Sequence, residues 1–357
     1  MPVSLAIPST VAPSVHLLAG LPTDCVCRAF DRVRDLLPVR SFAGFVGSPA
    51  IEGGPIGVVL PPCIEMSQVV EDWEAIGFLE RRFGSGARIG NVVTFVDCAG
   101  VRDQLDSADS LSARGWGKSD RDTRSVADIV AGQVESASHL ILVGDSKCCT
   151  FVSPLLDVLN PSAERLILDD TSDVRLSRWL MGSLGQEGDA SARVVPPWLD
   201  LLQAERPPLA APDRFLYRRS RPFDPEHFGD WLAHAPRSLV RGKGSVWLAD
   251  KCDQTFGYSC AGSVHRLFAA GRWWASDEGK SWPTCDVARR RLFDRWHPHF
   301  GDRRQEIAFL GVDLDADAIC SELDRCLLSE DEALDVVLDS RVPLGVSESV
   351  SSSVGLH

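Results

Sequence analysis

Short apolar runs alternate with amphipathic stretches through the first half of the chain. Val15-His16-Leu17-Leu18-Ala19-Gly20 is a compact apolar run ending in glycine, the pattern of a strand entering a turn. Residues 25–37 carry Val26, Ala29, Phe30, Val33, Leu36 and Leu37 at helical spacing, and Pro38 ends that element. Ile56-Gly57-Val58-Val59-Leu60, residues 91–97 and residues 139–144 are further buried-strand patterns, with helices predicted over 67–82, 124–136 and 151–159. The polar stretch 103–123, with Gly115 and Gly117, reads as a mobile loop. Apolar strands alternating with helices predict a parallel sheet covered on both faces, an α/β domain over residues 1–182.

The pattern changes at residues 183–213, where Gly185, Gly188, Pro196-Pro197, Pro207-Pro208 and Pro212 mark a linker with a short helix at 197–204. A second domain follows over 214–328. Strands are predicted at 240–248, 255–259, 263–268 and 306–311, framed by helices at 225–234 and 315–328, which is an α+β layer. Trp273, Trp274 and the 306–311 strand are expected to build its core. The text from 329 to 357 turns acidic and then Ser-rich, the composition of a disordered tail.

With 357 residues, 44% hydrophobic and 24% charged, the chain has the makeup of a globular protein large enough for two cores. No apolar run approaches the roughly 20 residues that span a bilayer, and no secretion signal opens the chain, so a cytoplasmic protein without membrane partners is expected. A formal charge of −13 argues against general nucleic-acid affinity, which rests on cations neutralising phosphates. Local basic clusters remain at Arg214, Arg218, Arg219 and Arg221, and at Arg289, Arg290 and Arg291. They read first as solvated faces, and otherwise as contacts for phosphate or an acidic partner. Eleven cysteines without a CxxC frame read mostly as small buried hydrophobes.

Several blocks together resemble a known family. They are Arg221-Pro222-Phe223-Asp224-Pro225-Glu226-His227-Phe228, Arg241-Gly242-Lys243-Gly244 running to Trp247-Leu248-Ala249, Gly271-Arg272-Trp273-Trp274-Ala275, and Trp296-His297-Pro298-His299-Phe300-Gly301-Asp302 running to Asp313. In this order they resemble the C-terminal domain of the CobW-type P-loop proteins, GTP-dependent metal chaperones. The resemblance implies a P-loop-like parallel-sheet domain in front, in which the phosphate loop follows the first strand. Laid on this sequence, that loop runs from Gly20, with its later glycines at Thr23 and Cys25, its lysine at Val26 and its Ser/Thr at Cys27.

Only Gly20 matches. Val26 cannot neutralise a phosphate, and Cys27 is a poor ligand for magnesium, which wants oxygen. The sequence therefore argues against GTP binding and hydrolysis, since phosphoryl transfer depends on those charges. The acidic switch position falls on Leu60-Pro61-Pro62-Cys63, the guanine-reading position on Val143-Gly144-Asp145-Ser146, and the chaperones' CxCC motif has no counterpart. Asp145 reads as a turn former. Cys25 and Cys27 sit where phosphates would, at a helix start that favours thiolate, and with His16 they are the candidate ligands for a soft metal such as zinc. His297 and His299 read as packing residues, and Asp302 as paired with an arginine in a turn.

The predicted fold is thus a degenerate P-loop-like α/β domain joined to a CobW-type α+β domain. Erosion of this kind resembles the actinobacterial branch of the family. That resemblance implies a non-catalytic scaffold that recruits a ribosome hibernation-promoting factor to the small ribosomal subunit under zinc limitation. The competing readings are a GTP-dependent zinc metallochaperone and a regulator sensing zinc through Cys25 and Cys27.

Overall fold

A computed structural model describes residues 14–36, 39–41, 56–75, 77–83, 88–182, 194–204, 211, 213–277 and 282–341. Six strands form the first sheet: β1 (Ser14–Ala19), β2 (Val39–Ser41), β3 (Ile56–Val59), β4 (Arg88–Asp97), β5 (His139–Val143) and β6 (Glu164–Ile167). Their order is β2-β3-β1-β4-β5-β6 and every pair is parallel. The chain builds to one side of β1 and then to the other. The strand order therefore reverses between β1 and β4, where open α/β sheets bind ligands at the carboxyl ends.

Helix α1 (Asp24–Arg34) buries Val26, Ala29 and Val33 against Leu18, Phe95, Ile141 and Leu166 on one face. On the other face lie α2 (Met66–Ala75), α3 (Phe78–Phe83), α4 (Val101–Leu105), α5 (Val126–Glu135) and α6 (Ser146–Leu159). Helix α7 (Asp173–Gly182) joins α1 through Leu176 and Leu180.

Three readings of this half are corrected. The single helix expected over 67–82 is two, because Gly77 adopts φ 57° and a left-handed residue ends a helix. The stretch 103–123 is a closed, hydrogen-bonded loop rather than a loose one. Leu111 N donates to Arg124 O at 2.8 Å, Val126 N to Asp109 O at 2.9 Å, and Leu111 is fully buried. Arg124 pins it from below, donating to Asp122, Glu65 and the Cys63 carbonyl. Helix α6 starts earlier than residue 151, since Asp145 caps it by accepting from Cys148 N at 2.7 Å.

After α8 (Pro197–Gln203), the second sheet is antiparallel, in the order β10-β9-β8-β11-β7. Its strands are β7 (Arg214–Arg219), β8 (Leu239–Val246), β9 (Gln254–Ala261), β10 (Val264–Arg272) and β11 (Gln305–Gly311). One face carries α9 (Pro225–His234) and, after α10 (Asp286–Asp294), α11 (Ala316–Arg325) over an aromatic core of Tyr217, Phe223, Phe228, Trp231, Tyr258 and Phe309. The other face sends Val240, Ala261, Ala308 and Leu310 into the core beneath α5 and α6.

The acidic stretch after 329 opens with a helix, α12 (Glu330–Arg341). Its Ala333 and Val337 are buried against Trp247, Trp273 and Phe300, so two well-placed apolar residues outweigh an acidic composition. The Ser-rich end, 342–357, lies outside the described residues, as does 183–193 of the linker. Trp273 is the core tryptophan, 5% exposed, whereas Trp274 is half-buried and its backbone N–H donates to Asp302.

The two sheets are tied chiefly by the Arg241 guanidinium, with Arg266 of β10 adding a second pair to Asp128. Arg241 of β8 donates from Nε to Glu135 Oε1 at 2.7 Å and from Nη1 to Asp128 Oδ1 at 3.0 Å, both acceptors standing on α5. Burial works to raise the Asp128 carboxyl, but Arg241, the Ser259 hydroxyl and Lys243 outweigh it and hold the pKa at about 2. Glu135→Ala leaves this guanidinium half-paired and should cost about 3–5 kcal/mol, read as a lowered urea midpoint. Because the folded pKa of Asp128 lies below its unfolded value of about 3.9, its contribution is present above that pH and should be lost as pH falls toward 2. An acid titration followed by circular dichroism checks this. Trp273→Ala should likewise cost about 3–5 kcal/mol, and Trp274→Ala clearly less, in the same unfolding measurement.

Candidate functional site

The loop after β1 has closed on itself. A Cβ on Gly20 would sit 3.0 Å from the Phe95 carbonyl and 3.1 Å from Val26 Cγ1, so any side chain here would press on the β4 backbone and on Val26. Val26 is 1% exposed and packs with Leu18, Val93 and Phe95, extending the core to the place a phosphate loop would leave open. Thr23 caps α1: its Oγ1 accepts from Val26 N at 3.4 Å and lies 3.1 Å from Cys25 Sγ. Cys25 is half-buried and Cys27 is exposed. Two helical residues apart, their side chains point to well-separated directions of α1 rather than to one ligand.

Burial pushes the Cys25 thiol up; the Thr23 contact opposes this and the Asp97 carboxylate reinforces it. The thiolate expected from the helix dipole is thus disfavoured. His16 stands apart from these thiols, its Nδ1 accepting from Asn91 N at 3.1 Å inside the sheet. Burial and then His139 hold it down at about 4, so it is neutral at physiological pH. Among the described residues no group of three or more His, Cys, Asp or Glu side chains is placed to hold a metal ion. The set Cys25, Cys27 and His16 is therefore not brought together.

What the strand ends do bring together is different. Asp97, at the end of β4, accepts from Ala99 N and Gly100 N through Oδ1 and lies beside Cys25. The next residue, Cys98, has its sulfur 3.4 Å from that of Cys149 in the first turn of α6, and both are buried. Burial raises both thiols, that of Cys98 far above the usual range. Gly144, at φ 140°, lets the chain turn tightly over Cys98 before the Asp145 cap. The crest is a row of neutral thiols and carboxylates, with no cation to meet a phosphate at the Val26 position. It presents sulfur and oxygen donors, with an apolar side chain at the Val26 position.

The basic candidates divide. Arg218 pairs with Glu306, and Arg219 donates to both Asp324 oxygens at 2.8 Å, so each is occupied within its own domain. Arg289 and Arg290 on α10 are exposed, and the Arg291 side chain lies outside the described residues. His297 stacks on Phe300 at 4.6 Å, a packing role. Asp302 accepts from the backbone of Trp274 and Ala275 rather than pairing with an arginine, while Arg303 is buried and donates to the Cys252 and Phe300 carbonyls.

Residues 213–327 match the model of the cobalamin synthesis protein cobW C-terminal domain. The second domain belongs to this family. The chain is 29% identical over 259 residues to the zinc-regulated GTPase metalloprotein activator 1 of Dictyostelium discoideum, covering 69% of this chain and 54% of that protein. It is 30% identical over 249 residues to the zinc chaperone Rv0106 of Mycobacterium tuberculosis, covering 69% of this chain and 58% of that one. It thus spans a little over half the length of the curated relatives it matches. The Zn(II)-bound YjiA GTPase from E. coli aligns over 88% of this chain and 99% of its own, at 11% identity and a TM-score of 0.34, a remote likeness.

Sequence reasoning missed Asp97, Cys98 and Cys149 because 51 residues separate the two cysteines. The available signal was position: each lies at the carboxyl end of a strand or just beyond it, flanking the switch point. Alkylation with iodoacetamide at pH 8, followed by mass spectrometry, should label Cys27 and Cys285 first and Cys98 and Cys149 only on unfolding. Early labelling of Cys98 would show that the crest is open.

Proposed function

We propose that this chain is a zinc-linked binding protein of the CobW type that works without turning over GTP. The observation that carries the reading is the closed loop: Val26 is buried at the lysine position against Gly20 and Phe95, and Cys27 replaces the magnesium hydroxyl. Zinc enters through the two relatives, whose names tie them to that metal. With no ready three-ligand cluster among the described residues, the zinc link fits a complex in which a partner completes the ligand set. Isothermal titration should detect no saturable binding of GTP with magnesium at micromolar concentration. Micromolar GTP affinity would show that the loop still admits nucleotide, and phosphate release from the bound GTP would overturn the non-hydrolytic reading.

A second reading places that binding on the translation machinery, as recruitment of a ribosome hibernation-promoting factor to the small subunit. The feature favouring it is α10, where Arg289 and Arg290 are exposed beside Phe293, 44% exposed, on a chain of net charge −13. Basic and aromatic groups on an acidic body suit RNA or a ribosomal surface. A pull-down from zinc-starved cells separates the two. Ribosomal proteins with the hibernation factor support recruitment, and zinc enzymes support a chaperone. If recruitment holds, the double charge reversal Arg289→Glu, Arg290→Glu should weaken co-sedimentation with ribosomes, and raised salt should loosen the wild-type complex.

A further inference from the structure

A cavity of about 430 Å³ opens between the two sheets, away from the strand-end crest. Helix α5 lines one side with Asp128, Ile129, Gly132, Gln133 and Glu135; the antiparallel sheet contributes Arg241, Lys243 and Arg266, and α8 contributes Trp198 and Leu199. Its size is that of a small-molecule site, for which the usual range is roughly 300–1,000 Å³.

The polar groups around it are sorted by sign. The two buried carboxylates of the wall are already engaged, Asp128 by Arg241, Arg266 and Ser259 and Glu135 by Arg241; at the rim, exposed Glu65 is held by Arg124 and exposed Glu71 faces solvent. The Lys243 ammonium has no hydrogen bond or ion pair among the described residues, and lies 5.9 Å from the centre of the Trp198 ring. Burial, with Arg241 adding to it, lowers the Lys243 pKa despite the nearby carboxylates, the condition of a cation short of a counter-ion. Two other cavity-lining residues carry buried donors without partners, Gln133 Nε2 and Trp198 Nε1. No lining residue carries a buried acceptor without one.

A wall with spare donors, one ammonium lacking a direct partner and apolar flanks from Ile64, Val92 and Leu199 selects its ligand by chemistry. We propose that this interdomain cavity binds a small organic carboxylate, with the carboxylate on Lys243 and the apolar body against Trp198. A monoanion matches one ammonium. A phosphate dianion would want at least one more free cation, and the arginines here are committed to carboxylates.

The test uses the full chain and three probes: octanoate, phenylacetate and indole-3-acetate, each against its neutral primary amide. Trp198 lies beside the ammonium, so tryptophan fluorescence reports binding alongside calorimetry. At least one carboxylate should bind saturably, and its amide at least tenfold more weakly. Lys243→Met should lose that preference. Gly132→Leu gives a second variant that leaves every donor in place. A Cβ there meets nothing within 4 Å, and glycine is the poorer helix former, so this variant should fold while filling the cavity and abolishing binding. Failure of all three carboxylates, equal affinity for an amide, tighter binding of inorganic phosphate, or unchanged affinity in Gly132→Leu would each overturn the proposal.

Discussion

The fork from Arg241 to α5 is the constraint on which the rest of the molecule depends. Glu135 and Asp128 are seven residues apart, two helical turns, so both carboxylates face the same sheet and one guanidinium reaches both. The remaining valences are filled from the second domain, with Nη1 also donating to the Cys260 carbonyl and Asp128 accepting from Ser259 and Arg266. Apolar contacts between α5 and the sheet would hold at many relative positions. A bidentate pair and its supporting bonds hold at one, and this directional demand offsets some of what desolvating the ions costs.

Once the two sheets are locked, the eroded loop acquires a structural meaning. A phosphate loop leaves backbone N–H groups unsatisfied for a ligand, which costs stability when the ligand is absent. Here Thr23 caps the helix and Val26 fills the space, so the core runs unbroken from Phe95 to α1. A lysine at that position would need its ammonium desolvated beside Leu18 and Phe95. The apolar side chain at this position is what lets the core close there.

The elements legible in the chain were those with a strong apolar period: β1, β3, β4, β5, α1, α5, α9, β8 and β11 all fall where the pattern places them, within a few residues. The missed ones share a physical cause. β6 is an edge strand reading Glu-Arg-Leu-Ile, with one fully buried residue. In β7 the alternation of Phe215 and Tyr217 with arginines was masked by charge, and a half-buried strand was taken for a basic patch. Helix α12 opens with three consecutive acidic residues and buries little beyond Ala333 and Val337. At the candidate site the residues Val26 and Cys27 could be read directly, because the loop is contiguous in sequence. The meeting of Cys98 with Cys149, and of Arg241 with Glu135, is set by tertiary packing and leaves no local trace.

The net charge of −13 describes the surface and says little about the interior. Arg124, Arg241 and Arg266 are matched against Asp122, Glu65, Asp128 and Glu135, and Lys243 brings the set to balance without a direct hydrogen bond or ion pair of its own among the described residues. Domain interfaces within a chain are by default polar enough to slide or open. This one is closed by the fork and by α8 of the linker, whose Leu201 enters the shared core. Opening it would expose three ion pairs and that core together. A ligand seated against Lys243 would touch α5, α8 and the antiparallel sheet at once.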